Sequence, residues 1–153
     1  WESINVVLDL EDWTQLSVLG HNCLVPGGIF WFDLNTEYKY RQMWDETIAE
    51  NREDGSFIWD NCYYEEERIN EYDLTLFIRD ERSADDGAEL FRKYRETHFQ
   101  RGYTLDEIKS LIGKAGMVFL AAYDMDTKAE PVETSERIFV IARESGKGEK
   151  KDE

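Results

Sequence analysis

The stretch Val25-Pro26-Gly27-Gly28-Ile29-Phe30-Trp31-Phe32-Asp33-Leu34-Asn35 decides how the rest of the chain is read. Pro26-Gly27-Gly28 spells a turn, because proline stops a preceding helix and glycine accepts positive φ. Ile29 to Phe32 is an unbroken apolar run, too short for a helix and rich in β-formers. Such a run predicts a strand buried on both faces, as in a parallel sheet. Asp33-Leu34-Asn35 then sets two polar side chains at the strand's carboxyl end, the edge where open α/β sheets bind ligands.

Upstream of the turn, Trp13, Leu16, Leu19 and Cys23 recur at three- and four-residue spacing. They predict an amphipathic helix from Asp12 to Leu24, with Asp9 as its cap and Cys23 in its core face. Downstream, Thr36 is placed to cap a short helix carrying Tyr38, Tyr40, Met43 and Trp44. From Ser56 the period changes to two. Ser56 to Tyr64, Ile69 to Arg79 and Leu90 to Gln100 alternate as strands, joined by the charged turn Glu65–Arg68 and the polar loop Ser83–Ala88. Short connections between long alternating runs mean a three-stranded antiparallel meander. Thr104-Leu105-Asp106-Glu107 is a capping box, opening a helix with Leu105, Ile108, Leu111 and Ile112 on one face. Met117 to Tyr123 and Arg137 to Arg143 read as two further strands around the loop Asp124–Ser135. The last strand has the apolar centre of an interior position.

The chain has 153 residues, enough for one domain with a core of its own. Its net charge is 18 − 34 = −16, a surface that repels phosphate backbones and argues against nucleic acid as a partner. No apolar run approaches the roughly 18 residues of a membrane span, and no signal peptide is evident. Cys23 and Cys62 lack CxxC spacing, so neither a disulfide framework nor a metal site is expected, and a reducing cytoplasm suits both. The chain opens on Trp1 rather than Met, as a fragment or a processed product would.

The ordered set helix, "VPGG", apolar strand, "DLN", antiparallel insert, "HFQRGYTLDEIKSLIGKAG", strand, loop, "SERIFVIAR" resembles the carboxyl-terminal half of a bacterial class I S-adenosylmethionine-dependent methyltransferase of the small-molecule type. The resemblance covers residues 2 to about 143 and implies an α/β fold, α+β in this stretch. Part of a Rossmann-like sheet is expected, its strands in the family order 5-7-6: Ile29–Leu34, Arg137–Arg143 and Met117–Tyr123. By this mapping, residues 1–35 and 101–144 are core, 36–100 form a three-stranded insert or lid, and 145–153 are a disordered tail. The family's glycine-rich loop and ribose-binding acid are absent from this sequence. The expectation is therefore a fragment lacking its cofactor-binding half, inactive alone, with S-adenosylmethionine as cofactor of the complete enzyme.

Methyl transfer from a sulfonium needs alignment and desolvation more than acid–base machinery. The resemblance places Ser3 and Asn5 beside the cofactor. Asp33 and Asn35, at the strand end, are candidates to hold the acceptor. Arg101 and Tyr103 follow the third insert strand as further substrate-binding candidates, and His98 is the candidate base. Each has a plainer reading: turn shaping for Asn35, loop hydrogen bonding for Ser3 and Asn5, a packed strand histidine for His98, a salt bridge for Arg101. His21 reads as structural. Tyr38, Tyr40, Trp44, Trp59, Tyr63 and Tyr64 form either an acceptor wall or an ordinary lid core. A homodimer through the edge of Ile29–Phe32 is expected, since a strand without its usual neighbour is a template for another chain. The competing reading is a non-enzymatic α+β module binding a small molecule or a protein through the aromatic meander.

Overall fold

The computed structural model describes residues 4–80, 82 and 88–146. Ten elements follow in chain order. They are α1 (Leu10–Cys23), β1 (Ile29–Asn35), α2 (Glu37–Gln42), β2 (Thr47–Asn51), β3 (Gly55–Tyr64), β4 (Ile69–Arg79), β5 (Phe91–Arg101), α3 (Leu105–Lys114), β6 (Met117–Asp124) and β7 (Arg137–Glu144). They build two sheets, β1-β7-β6 and β2-β3-β4-β5.

In the first sheet β7 lies in the middle, antiparallel to both neighbours, with Phe32 opposite Val140 and Ala122 opposite Val140 on the far side. This is the expected 5-7-6 order. The interior strand is the one with the continuous apolar centre: Ile138, Val140 and Ala142 are buried. Helices α1 and α3 cover one face of this sheet. Trp13, Phe32, Leu34, Ile108, Leu111 and Ile112 meet there in one core, with Trp13 edge-on to Phe32 at 5.4 Å between centroids. Each such side chain contributes on the order of 1.5–3 kcal/mol by leaving water. The helix α3 starts where its capping box says: Glu107 N donates to Thr104 Oγ1, and Thr104 N donates back to Glu107 Oε2.

The opposite face of this sheet corrects the expectation of a strand buried on both sides. Trp31 is 64% exposed, its ring tilted against Phe139, and Ile29 is also exposed. β1 is an edge strand whose sheet neighbour is the antiparallel β7. An unbroken apolar run does not by itself say how many faces are covered.

The helix α1 corrects two further expectations. It begins at Leu10, with Asp9 in the cap position but without a side-chain cap bond. Its buried face is Trp13 and Ser17, while Leu16 and Leu19 are exposed and Cys23 lies at the surface rather than in the core. Gly20 lies against the Phe30 ring, 3.5 Å from where a Cβ would stand, so the helix presents its small residues to the sheet. The insert also has four strands, not three. Thr47–Asn51 pairs antiparallel with β3, and every residue in it is exposed. It carries no buried stripe from which alternation could be read.

The turn before β1 behaves as written in the sequence. Gly27 holds φ of 74°, a conformation that favours glycine, and its N–H donates to Glu144 Oε2 at 2.9 Å. Residues 147–153 of the expected tail and 83–87 of the polar loop lie outside the described residues.

Candidate active site

The carboxyl end of β1, the amino end of α3 and the loop before β7 converge at one edge of the core sheet. A cleft of about 640 Å³ opens there, walled by Tyr38, Arg41, Tyr103, Asp106, Val132 and Ile138 among others. Thr36 fixes its base, donating from Oγ1 to Ser135 O at 2.6 Å and accepting from Lys39 N at the start of α2. The cleft therefore lies at the end of the sheet that the polar Asp33-Leu34-Asn35 triplet marks, as open α/β sheets favour.

The structure brings four of the sequence candidates together and leaves two apart. Asn5, Asn35, Arg101 and Tyr103 meet where β1 and β5 end. Asn5 is wholly buried: its Nδ2 donates to Asn35 O and to Arg101 O, both at 2.9 Å, and its Oδ1 accepts from Asn35 N at 2.9 Å. Asn35, 1% exposed, donates from Nδ2 to Tyr40 Oη at 3.3 Å and accepts from Lys39 Nζ at 3.1 Å. Arg101 donates from Nη1 to Leu8 O at 3.0 Å and lies 5.8 Å from the Tyr103 ring centroid. Tyr103 is buried, donates to Val7 O, and forms part of the cleft wall. Burial pushes its hydroxyl up to about 12, so it is a proton donor throughout the physiological range.

Asp33 points away from this group. It accepts from Arg137 Nε at 2.6 Å and pairs with a second guanidinium nitrogen of the same residue, across the open face. His98 stands on the insert sheet, stacked on Tyr72 at 4.9 Å between centroids, with Nε2 3.1 Å from Glu96 Oε2. Ser3 lies outside the described residues.

Sequence reading missed the charged group beside the cleft. Arg68 reaches Glu37 Oε2 at 2.9 Å and Glu107 Oε1 at 2.6 Å, and Arg41 reaches Glu37 Oε1 at 2.8 Å. These residues come from the β3–β4 turn, α2 and α3. The "EEER" run reads locally as a solvated turn, and nothing in it announces a partner 39 positions away. Arg68 holds a φ of 60°, an unusual conformation for a side-chain-bearing residue that carries its carbonyl to Gly102 N at 3.1 Å.

No family model matches the chain. It is 31% identical over 144 residues to a Geobacillus sp. (strain WCH70) protein named "Putative methyltransferase", a match covering 93% of this chain and 56% of that relative. The crystal structure of an S-adenosylmethionine-dependent methyltransferase from Clostridium acetobutylicum superimposes with a TM-score of 0.81 at 22% identity, over 95% of this chain and 56% of the other. An S-adenosylmethionine-bound amino pentose methyltransferase from Micromonospora echinaspora superimposes with a TM-score of 0.56 at 10% identity, over 94% of this chain and 55% of its own. The chain thus spans little more than half the length of each of these three proteins, and it has the fold of the corresponding part of a methyltransferase.

Proposed function

We propose that the chain supplies the acceptor side of methyl transfer from S-adenosylmethionine to a small molecule, with the acceptor resting in the cleft at the carboxyl edge of β1. The observation that carries this reading is the position of the cleft, at the ligand-binding edge of a sheet shared with methyltransferases. A sulfonium is already an activated donor, so the enzyme's contribution is alignment of the acceptor and exclusion of water. The cleft offers apolar and aromatic walls in Tyr38, Tyr103, Val132 and Ile138, with polar groups at its mouth, the usual make-up of a small-molecule site.

Of the proposed acceptor residues, Tyr103 lines the cleft; Asn35 and Arg101 serve it indirectly, through the Asn5 amide that holds the ends of β1 and β5 together, and Asp33 through its pairing with Arg137, which braces β1 against β7. His98, on the insert, is the proposed base. The cofactor fits the described residues poorly. Asn5, expected beside it, spends its whole amide on protein backbone, and the Pro26-Gly27-Gly28 turn leads from helix to strand, the reverse of a nucleotide-cradling order. The reading carries with it a cytoplasmic protein that pairs as a homodimer along the free edge of β1.

The test is to graft residues 4–146 in place of the matching segment of the Geobacillus relative. Labelled S-adenosylmethionine is then supplied with a panel of small amines, alcohols and carboxylic acids. Methyl transfer to a panel member supports the reading. A folded chimera that binds panel members yet transfers nothing would favour the binding-module alternative.

A further inference from the structure

We propose that Asn5 is a positioning residue that locks the insert sheet to the core sheet, so that the two move as one body and the insert is not a hinged lid. The chain crosses between the sheets twice, at residues 36–46 and 101–104, and a hinge would require both crossings to be free. They are in backbone contact instead. Thr36 and Tyr103 pair as a parallel bridge, and Glu37 N donates to Tyr103 O at 3.3 Å. Gly102 passes so close that a Cβ there would stand 2.7 Å from Glu37 Cα.

Asn5 completes the joint from the other side. Its primary amide acts as a peptide group would in a ladder, exchanging bonds with both N–H and C=O of Asn35 at the end of β1. The second amide hydrogen goes to Arg101 O at the end of β5, and Asn5 O accepts from Arg101 N at 2.7 Å. One wholly buried residue thereby bonds the last residue of a core strand and the last residue of an insert strand. The chemistry requires asparagine. Aspartate has no donors and would bury a charge, and glutamine is one methylene too long for the same reach. The segment that carries Asn5 is itself held, by Arg101 on Leu8 O and Tyr103 on Val7 O. A second buried line runs alongside, from Asn35 Nδ2 to Tyr40 Oη and on to Gln100 Oε1 at 2.8 Å. Buried polar chains of this kind fix geometry because every broken bond leaves an unsatisfied group. The consequence for methyl transfer, an acceptor cleft of set width, rests on the reading above. The joint itself does not.

The experiment uses the full chain with Cys62→Ser and Lys93→Cys, spin-labelled at Cys23 on α1 and at position 93 on the far half of β5, and diluted into an excess of unlabelled chain so that only distances within one copy are read. Pulsed dipolar spectroscopy should give one narrow distance peak, and adding Asn5→Ala should broaden it while the circular dichroism stays folded. A broad or bimodal distribution without the Asn5 substitution would overturn the proposal, as would an unchanged narrow peak in the Asn5→Ala variant. Should that variant not fold, hydrogen exchange on the parent chain decides. The amides of Asn35 and Arg101 should be protected as strongly as that of Val140, and rapid exchange at either would overturn the lock.

Discussion

Arg68 grips Glu107 with both terminal guanidinium nitrogens, Nη1 to Oε1 and Nη2 to Oε2 at 2.6 Å each, tying the turn of the insert to the first turn of α3. Burial alone would push the Glu107 carboxyl up. The Arg68 hydrogen bonds and the Thr104 N–H outweigh it and hold the carboxyl at about 2 against an ordinary 4.5. A folded-state value below the unfolded one means stability that is complete above pH 4.5 and lost as pH falls toward 2. With a quarter of the Glu107 side chain exposed, the screened contribution is about 2 kcal/mol. Glu107→Gln should therefore be less stable than the parent by about 2 kcal/mol at pH 6. The gap should close between pH 4.5 and 2. Urea unfolding of both proteins across that range checks this, and a gap independent of pH would refute it.

The corrected face of α1 makes a contrasting pair. Trp13 is wholly buried against Phe32 and Tyr103, so Trp13→Ala should cost about 3–5 kcal/mol. Leu19 is 59% exposed, so Leu19→Ala should change stability by no more than about 0.5 kcal/mol. The reading of hydrophobic spacing alone would make both costly. Comparable destabilisation of the two variants would restore Leu19 to the core.

What could be read in advance follows from what each feature depends on. β4 and the start of α3 are legible to the residue, because the alternation from Ile69 to Arg79 and the Thr104–Glu107 box are local statements. The order β1-β7-β6 came from resemblance, supported by the apolar centre of β7. The buried side of α1 escapes a reading by spacing, because Leu16 and Leu19 outweigh Ser17 and Gly20 in any count of apolar residues. The choice between faces was made by the need for a small residue beside Phe30. The polar joint was invisible as a joint. Asn5 meets partners 30 and 96 positions away, and an asparagine in a loop looks the same whether it faces water or backbone.

Asn35 and His98 now separate. Asn35 is buried and bonds Tyr40 and Lys39 through its side chain. Asn35→Ala should cost about 1–3 kcal/mol, by removing the buried bond from Nδ2 to Tyr40 Oη and the bond that Oδ1 accepts from Lys39 Nζ. His98→Ala, on a partly exposed strand position paired with exposed Glu96, should cost less than about 1 kcal/mol. Thermal melts distinguish the two, and equal losses would mean that the Tyr72–His98 stack carries more than the geometry suggests.

This chain by itself should bind S-adenosylmethionine weakly or not at all. Its Pro26-Gly27-Gly28 turn feeds a strand rather than a helix, and the Asn5 amide has no free donor left for a ligand. Backbone N–H groups at a strand-to-helix turn are what such nucleotide-bearing ligands use. Isothermal titration of this chain with S-adenosylmethionine should show no saturable heat. Micromolar binding would mean that the cofactor contacts come from elsewhere in these residues.

The edge of β1 should bring two copies together. Even-numbered residues of this strand, Phe30, Phe32 and Leu34, face Ala142, Val140 and Ile138 in the ladder with β7. The odd-numbered residues turn their N–H and C=O groups outward. At Asn35 those groups are taken by the Asn5 amide, so the segment 4–8 closes the carboxyl end of the edge and no more. Ile29, Trp31 and Asp33 keep outward backbone groups for which no described residue offers a backbone partner. Ile29 to Phe32 contains neither charge nor proline, the features that normally blunt such an edge. Trp31 stands exposed beside Phe139 on the adjoining open face, so a pairing strand would gain both hydrogen bonds and apolar cover. Two copies related by a two-fold axis satisfy both at once, strand against strand. The −16 charge opposes this, but salt screens it within roughly 8 Å at physiological ionic strength, whereas each aromatic side chain covered returns about 1.5–3 kcal/mol. Sedimentation should therefore find a dimer at tens of micromolar, and Trp31→Lys, which sets a like charge opposite itself across the axis, should return it to a monomer. A parent chain that stays monomeric at that concentration would show that the open edge tolerates water.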